Sequence, residues 1–104
     1  MIKIPTRSDL GNYTERIELD GSVYIFEFRW NDRFEQWVMD ISDEQETPLV
    51  SGVVLFVGFE LLHGLVSESL PPGRFIVLHD TEDSYEMKEE DLGDTVNLYY
   101  EEAS

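Results

Sequence analysis

Between residues 24 and 41, apolar and polar side chains alternate in two runs separated by a short polar turn. Tyr24, Phe26, Phe28 and Trp30 fall on one side and Ile25, Glu27 and Arg29 on the other, because successive side chains of a strand point to opposite faces. After the turn at Asn31-Asp32, Trp37, Met39 and Ile41 continue the apolar side. The pattern predicts a hairpin with one aromatic face. Asp40, between Met39 and Ile41, falls on the opposite face, exposed or hydrogen-bonded to a neighbouring turn.

Similar signals run along the rest of the chain. Residues 13–19 alternate around Ile17 and Leu19, and Asp20-Gly21 is a strong two-residue hairpin signal before a strand at 22–30. Residues 35–42 return as the third strand of a meander. The polar run Asp43-Glu44-Gln45-Glu46-Thr47-Pro48 ends it with a proline, which lacks the N–H of a central ladder. Residues 49–57 are almost continuously apolar, which predicts burial on both faces, against the core and against a partner or covering segment. Gly52 marks a bulge or a close backbone approach. Residues 59–65 read as a strand end or a short turn. Pro71-Pro72-Gly73 breaks the chain before a strand at 74–79, and residues 95–101 supply the last, with Val96, Leu98 and Tyr100 on a common face. The expected fold is all-β, an antiparallel sandwich or barrel of about six to seven strands. Residues 80–94, with eight carboxylates and one Lys, form an exposed acidic loop.

A chain of 104 residues is read as a single β-domain over 1–104, able to bury roughly 65% of its unfolded surface. Hydrophobic residues make up 41% and aromatics 12%, too many for a disordered chain. Charge narrows the partners. A formal charge of −16, with 23 carboxylates against seven Lys or Arg, repels phosphate backbones and anionic membranes and favours a basic protein. There are no cysteines, so disulfides, thiolate metal sites and cysteine nucleophiles are excluded. The N-terminal Met1-Ile2-Lys3-Ile4-Pro5 is too short for a secretory signal, and no apolar run approaches a membrane span.

Catalytic chemistry finds no constellation. His63 and His79 have no nucleophile elbow, zinc-protease motif or phosphate loop beside them, and both read as structural. The carboxylates of the acidic loop lack the spacing of a calcium-binding loop and read as solvated, or as a contact surface for a basic neighbour. No catalytic, cofactor or metal residue is expected, and the protein is read as non-enzymatic. Trp30 and Trp37 offer flat apolar platforms for sugar or peptide, but a core or interface cluster is the simpler reading. Arg29 and Arg33 flank Trp30, placed either for salt bridges to a neighbouring chain or, the simpler expectation in so acidic a protein, for pairing within this chain.

The order Met1-Ile2-Lys3-Ile4-Pro5-Thr6, Asn12-Tyr13-Thr14, Asp20-Gly21, Phe28-Arg29-Trp30-Asn31-Asp32-Arg33, Trp37, Asp40-Ile41, Pro71-Pro72-Gly73 and Asp91-Leu92-Gly93-Asp94 resembles the small baseplate plug proteins of contractile-tailed bacteriophages, the cyanophage type. The resemblance covers almost the whole chain, with residues 81–90 as a variable part. It implies an all-β structural virion protein at the tail axis that plugs or joins the central baseplate hub to the tail tube. Hub and tail tube proteins are then the expected partners, with several copies per tail and assembly in the host cytoplasm. Phe28, Arg29, Trp30, Arg33, Phe34, Trp37 and Phe56 are the expected interface residues, the four aromatics of the hairpin through packing or direct contact. An acidic DNA mimic that occupies a DNA-binding enzyme is the alternative raised by the charge alone.

Overall fold

The computed structural model describes residues 2–58, 60–62, 70–80 and 87–102. Among the described residues eight strands, β1 (Ile2–Lys3), β2 (Asn12–Leu19), β3 (Ser22–Asn31), β4 (Gln36–Asp43), β5 (Pro48–Val54), β6 (Glu60–Leu61), β7 (Arg74–His79) and β8 (Val96–Glu101), form two antiparallel sheets. One has the order β2-β3-β4-β5 and the other β1-β8-β7-β6. The count exceeds the expected six to seven because β1 and β6 hold two residues each, too few to show a period.

The long meander follows the sequence pattern closely. Leu19 pairs with Ser22 across a two-residue turn in which Asp20 (φ 50°) and Gly21 (φ 84°) are both left-handed, the backbone that matches strand twist. In β3, Tyr24, Phe26 and Phe28 are buried, and Phe28 faces Met39 across the β3–β4 ladder. The register in β5 slips beside Asp40, where Gly52 (φ 74°) forms a bulge. The Asp40 carboxylate accepts the Gly52 N–H at 2.8 Å and pairs with Arg29 at 3.0 Å, which resolves its expected position as the hydrogen-bonded one.

Residues 49–57 depart from expectation. Within the chain itself they are not buried on both faces: β5 is the edge of its sheet, Ser51, Gly52 and Phe56 are exposed, and among the described residues no covering segment lies on its outer side. Continuous apolar character arises instead because the chain changes sheets here. Leu55 N–H donates to the Trp37 carbonyl at 3.0 Å, whereas Gly58 N–H donates to the Val77 carbonyl at 2.7 Å. Leu55 and Val57 are thus drawn into the core while Phe56 is turned outward. Of the segment expected at 59–65, Glu60–Leu61 is strand and Leu62 a left-handed turn residue (φ 59°); residues 59 and 63–65, with His63, lie outside the described residues.

A single apolar cluster lies between the sheets. Phe26 of one sheet meets Phe75 of the other at 5.8 Å between ring centroids, and Phe75 meets Tyr100 at 4.9 Å. Val96, Leu98 and Tyr100 share the buried face of β8 as expected. The Tyr100 hydroxyl donates to Asp20 at 2.5 Å and accepts the Gly73 N–H at 2.7 Å, which ties β8, the β2–β3 turn and the Pro-Pro-Gly segment together. The second half of the acidic loop is anchored, since Leu92 is fully buried and Met87 packs against the core. Its first residue, Asp80, accepts from Tyr99 at 2.6 Å and Asn97 at 2.5 Å with Lys3 at 3.6 Å, and the same bond pushes the Tyr99 phenol up to about 12.

Glu15 interrupts the buried face of edge strand β2, between Tyr13 and Ile17. An inward-pointing charge on an edge opposes further strand addition. Burial raises the Glu15 carboxyl above its usual range, with nearby Arg7 acting in the opposite sense. A carboxyl whose folded pKa lies above its unfolded value favours folding most below the unfolded pKa, and that contribution is lost as pH rises through the folded one. Glu15→Gln is therefore expected to raise the melting temperature at pH 7, with the gain shrinking as pH falls through the carboxylate range; thermal circular dichroism at both ends reads it.

Candidate functional site

The end of the sandwich carrying the β3–β4 turn concentrates the aromatic residues. Trp37 is fully buried, packed edge-on against Trp30 at 5.8 Å and Tyr13 at 5.9 Å. Its indole N–H donates to the Glu89 carbonyl at 3.2 Å. That bond holds the short 3-10 turn Glu89–Asp91 over the open end of the hairpin, and the Asp91 carboxylate steadies the turn by accepting the Lys88 N–H at 2.9 Å. Trp30 lies at the rim of the same cluster, half-buried, and its backbone N–H donates to the Gly11 carbonyl at 2.8 Å.

At the tip, the Asn31 side-chain carbonyl accepts from the N–H groups of Arg33 and Phe34 at 3.0 and 3.2 Å. This turn leaves the Phe34 ring 67% exposed, and Phe56 is 53% exposed. Two grooves meet there. One of about 600 Å³ is lined by Trp30, Glu35, Met87, Lys88, Glu89 and Glu90. A second, of about 210 Å³, lies between Phe34, Phe56 and Leu55 and shares Glu35 and Met87 with the first.

The structure thus sorts the expected interface residues. Phe28 and Trp37 have no exposed surface, so of the two roles expected of them, packing or direct contact, they take the packing one within this chain; alternation placed them on the aromatic face, and that face is the core. Trp30, Phe34 and Phe56 gather at the hairpin end. Arg29 is on the outer face of the meander, paired with Asp40 and 3.9 Å from Glu27. Arg33 is exposed and, unlike Arg29, has no ion pair among the described residues, contrary to the pairing expected of both. Met87 and Glu35 were not singled out from sequence, whereas Glu89 and Glu90 belong to the acidic loop read there as solvated or as a contact surface for a basic neighbour. Met87 carried the one available signal, a large apolar residue within an acidic run.

Among the described residues no group of three or more His, Cys, Asp or Glu is placed to hold a metal ion. What the two sheets define is a small antiparallel sandwich with an acidic-rimmed aromatic end. Over residues 1–103 the chain matches the family described as "Cyanophage baseplate Pam3 plug gp18", and it belongs to that family. A search of curated proteins found no match. Membership gives the chain a structural role in the phage baseplate, a place in the tail baseplate of the virion, and contacts with other baseplate components.

Proposed function

We propose that this protein plugs the baseplate of a contractile tail, of a phage or related prophage, by joining the central hub to the tail tube, and that it does so by packing rather than by catalysis. The observation that carries the reading is the family match along nearly the whole chain, with an ordered aromatic end that the fold leaves uncovered. Several copies around the tail axis, put together in the host cytoplasm before incorporation into the virion, complete the proposal. The strong negative charge suits a conduit past which DNA moves without adsorbing. The DNA-mimic alternative rests on charge alone and gains nothing from the fold or the family.

Mass photometry of the purified chain mixed with the hub and tail tube proteins of the same tail tests this. Discrete complexes larger than either partner are the expected result. A chain that stays monomeric in every mixture would overturn the reading.

A further inference from the structure

Three large hydrophobic side chains stand well out in solvent among the described residues: Leu10, Phe34 and Phe56. Phe34 and Phe56 line one groove, and Leu10 precedes Gly11, whose carbonyl is bonded to Trp30 at the same end. Neither aromatic is held loosely. Phe34 sits on the turn bonded to Asn31, and Phe56 lies between Leu55 and Gly58, each fastened by a backbone hydrogen bond to a different sheet. Exposed aromatics on ordered backbone lose little entropy on binding and are the typical anchors of protein interfaces.

The charges around them are mostly negative: Asp32, Glu35, Glu89 and Glu90 lie at this end and make no ion pair among the described residues. Two cations, Arg33 and Lys88, stand among these carboxylates and are likewise without an ion pair, so the rim stays negative. A second copy of a chain carrying −16 would bring another acidic rim against this one.

We infer that this end docks a basic segment of another tail protein, an apolar side chain seated between Phe34, Phe56 and Met87 with flanking Lys or Arg side chains against Glu35, Glu89 and Glu90. The inference rests on the assembly reading above and names the chemistry of the partner. Copies of the chain, where they meet, use other surfaces.

The test is biolayer interferometry of the full chain on immobilised hub and tail tube proteins, at low and high NaCl. Phe34→Ser with Phe56→Ser is expected to weaken binding by about tenfold or more, the loss typical of central interface aromatics. Glu35→Gln with Glu90→Gln is expected to slow association and flatten its salt dependence. All four positions are on the surface, and an unchanged circular dichroism spectrum confirms that the variants fold. Binding by the wild type that both double variants retain would overturn the docking surface and leave the assembly reading standing. No binding by the wild type to either protein would overturn both. A Phe34→Ser, Phe56→Ser change that lowers only the particle mass of the chain by itself would assign the end to a second copy and overturn the inference.

Discussion

Trp37→Ala is expected to be among the most damaging single changes in the chain, costing about 3–5 kcal/mol of stability. The indole is fully buried and touches the rings of Tyr13 and Trp30, so truncation opens a cavity that the rigid ladder of β3 and β4 cannot close. It also removes the donor to the Glu89 carbonyl, the bond that holds the acidic segment over the hairpin end. Since small domains have only about 5–15 kcal/mol to lose, a fall of roughly 15 °C or more in melting temperature should follow. Trp37→Phe separates the two effects, keeping most of the packing while losing the N–H. Thermal denaturation of both variants reads the difference, and an alanine variant that melts with the wild type would refute the central place given to this residue.

Gly73→Ala should be nearly as harmful, although it adds a single methyl group. A Cβ at this position would run into the Glu101 carbonyl and lie 2.6 Å from the Tyr100 ring carbon and hydroxyl, far inside van der Waals contact. Backbone cannot yield as a flexible side chain can, so β7 and β8 must separate at their paired ends, where Arg74 lies opposite Glu101. The Gly73 N–H would then lose the Tyr100 hydroxyl, which in turn ties β8 to Asp20 across the sandwich. Overpacking of this kind costs about 1–3 kcal/mol or more, and loss of the associated hydrogen bond adds to it. Chemical denaturation of Gly73→Ala beside Tyr100→Phe distinguishes the sources: the phenylalanine variant loses only the bonds. Equal stability of Gly73→Ala and wild type would show that the strand ends are not in close contact.

The meander was legible because its side chains repeat with the strand period and its turns carry unambiguous chemistry. Asp20-Gly21 adopts the doubly left-handed turn that those residues favour, and Tyr24, Phe26 and Phe28 are buried together as alternation requires. The family, too, was legible, through the order of short segments spread over the chain. Errors arose where a local pattern reports on more than one environment. The run 49–57 reads as a strand covered by the core on one face and by a partner or covering segment on the other, yet within the chain it is an edge strand followed by a crossing between sheets. Apolar content cannot tell two covered faces from one face covered in succession by two sheets. Leu92 and Met87 likewise sit in a run whose charge signals solvent, and their burial depends on core surface supplied by distant residues.

From its own order of residues, the chain determined an all-β fold, the aromatic face of the hairpin, its heavy negative charge and its membership of the plug family. Alternation, turn chemistry and composition are local properties, and they act before any long-range contact forms. Which aromatics face the core and which face solvent was decided only by the tertiary structure. Phe28 and Trp37 are fully buried in the core, whereas Phe34 and Phe56 are carried outward by a turn and a sheet crossing. The physical reason is that exposure is a property of the packed assembly of strands. A side chain's face follows from its neighbours in sequence, but what covers that face comes from residues up to a chain length away.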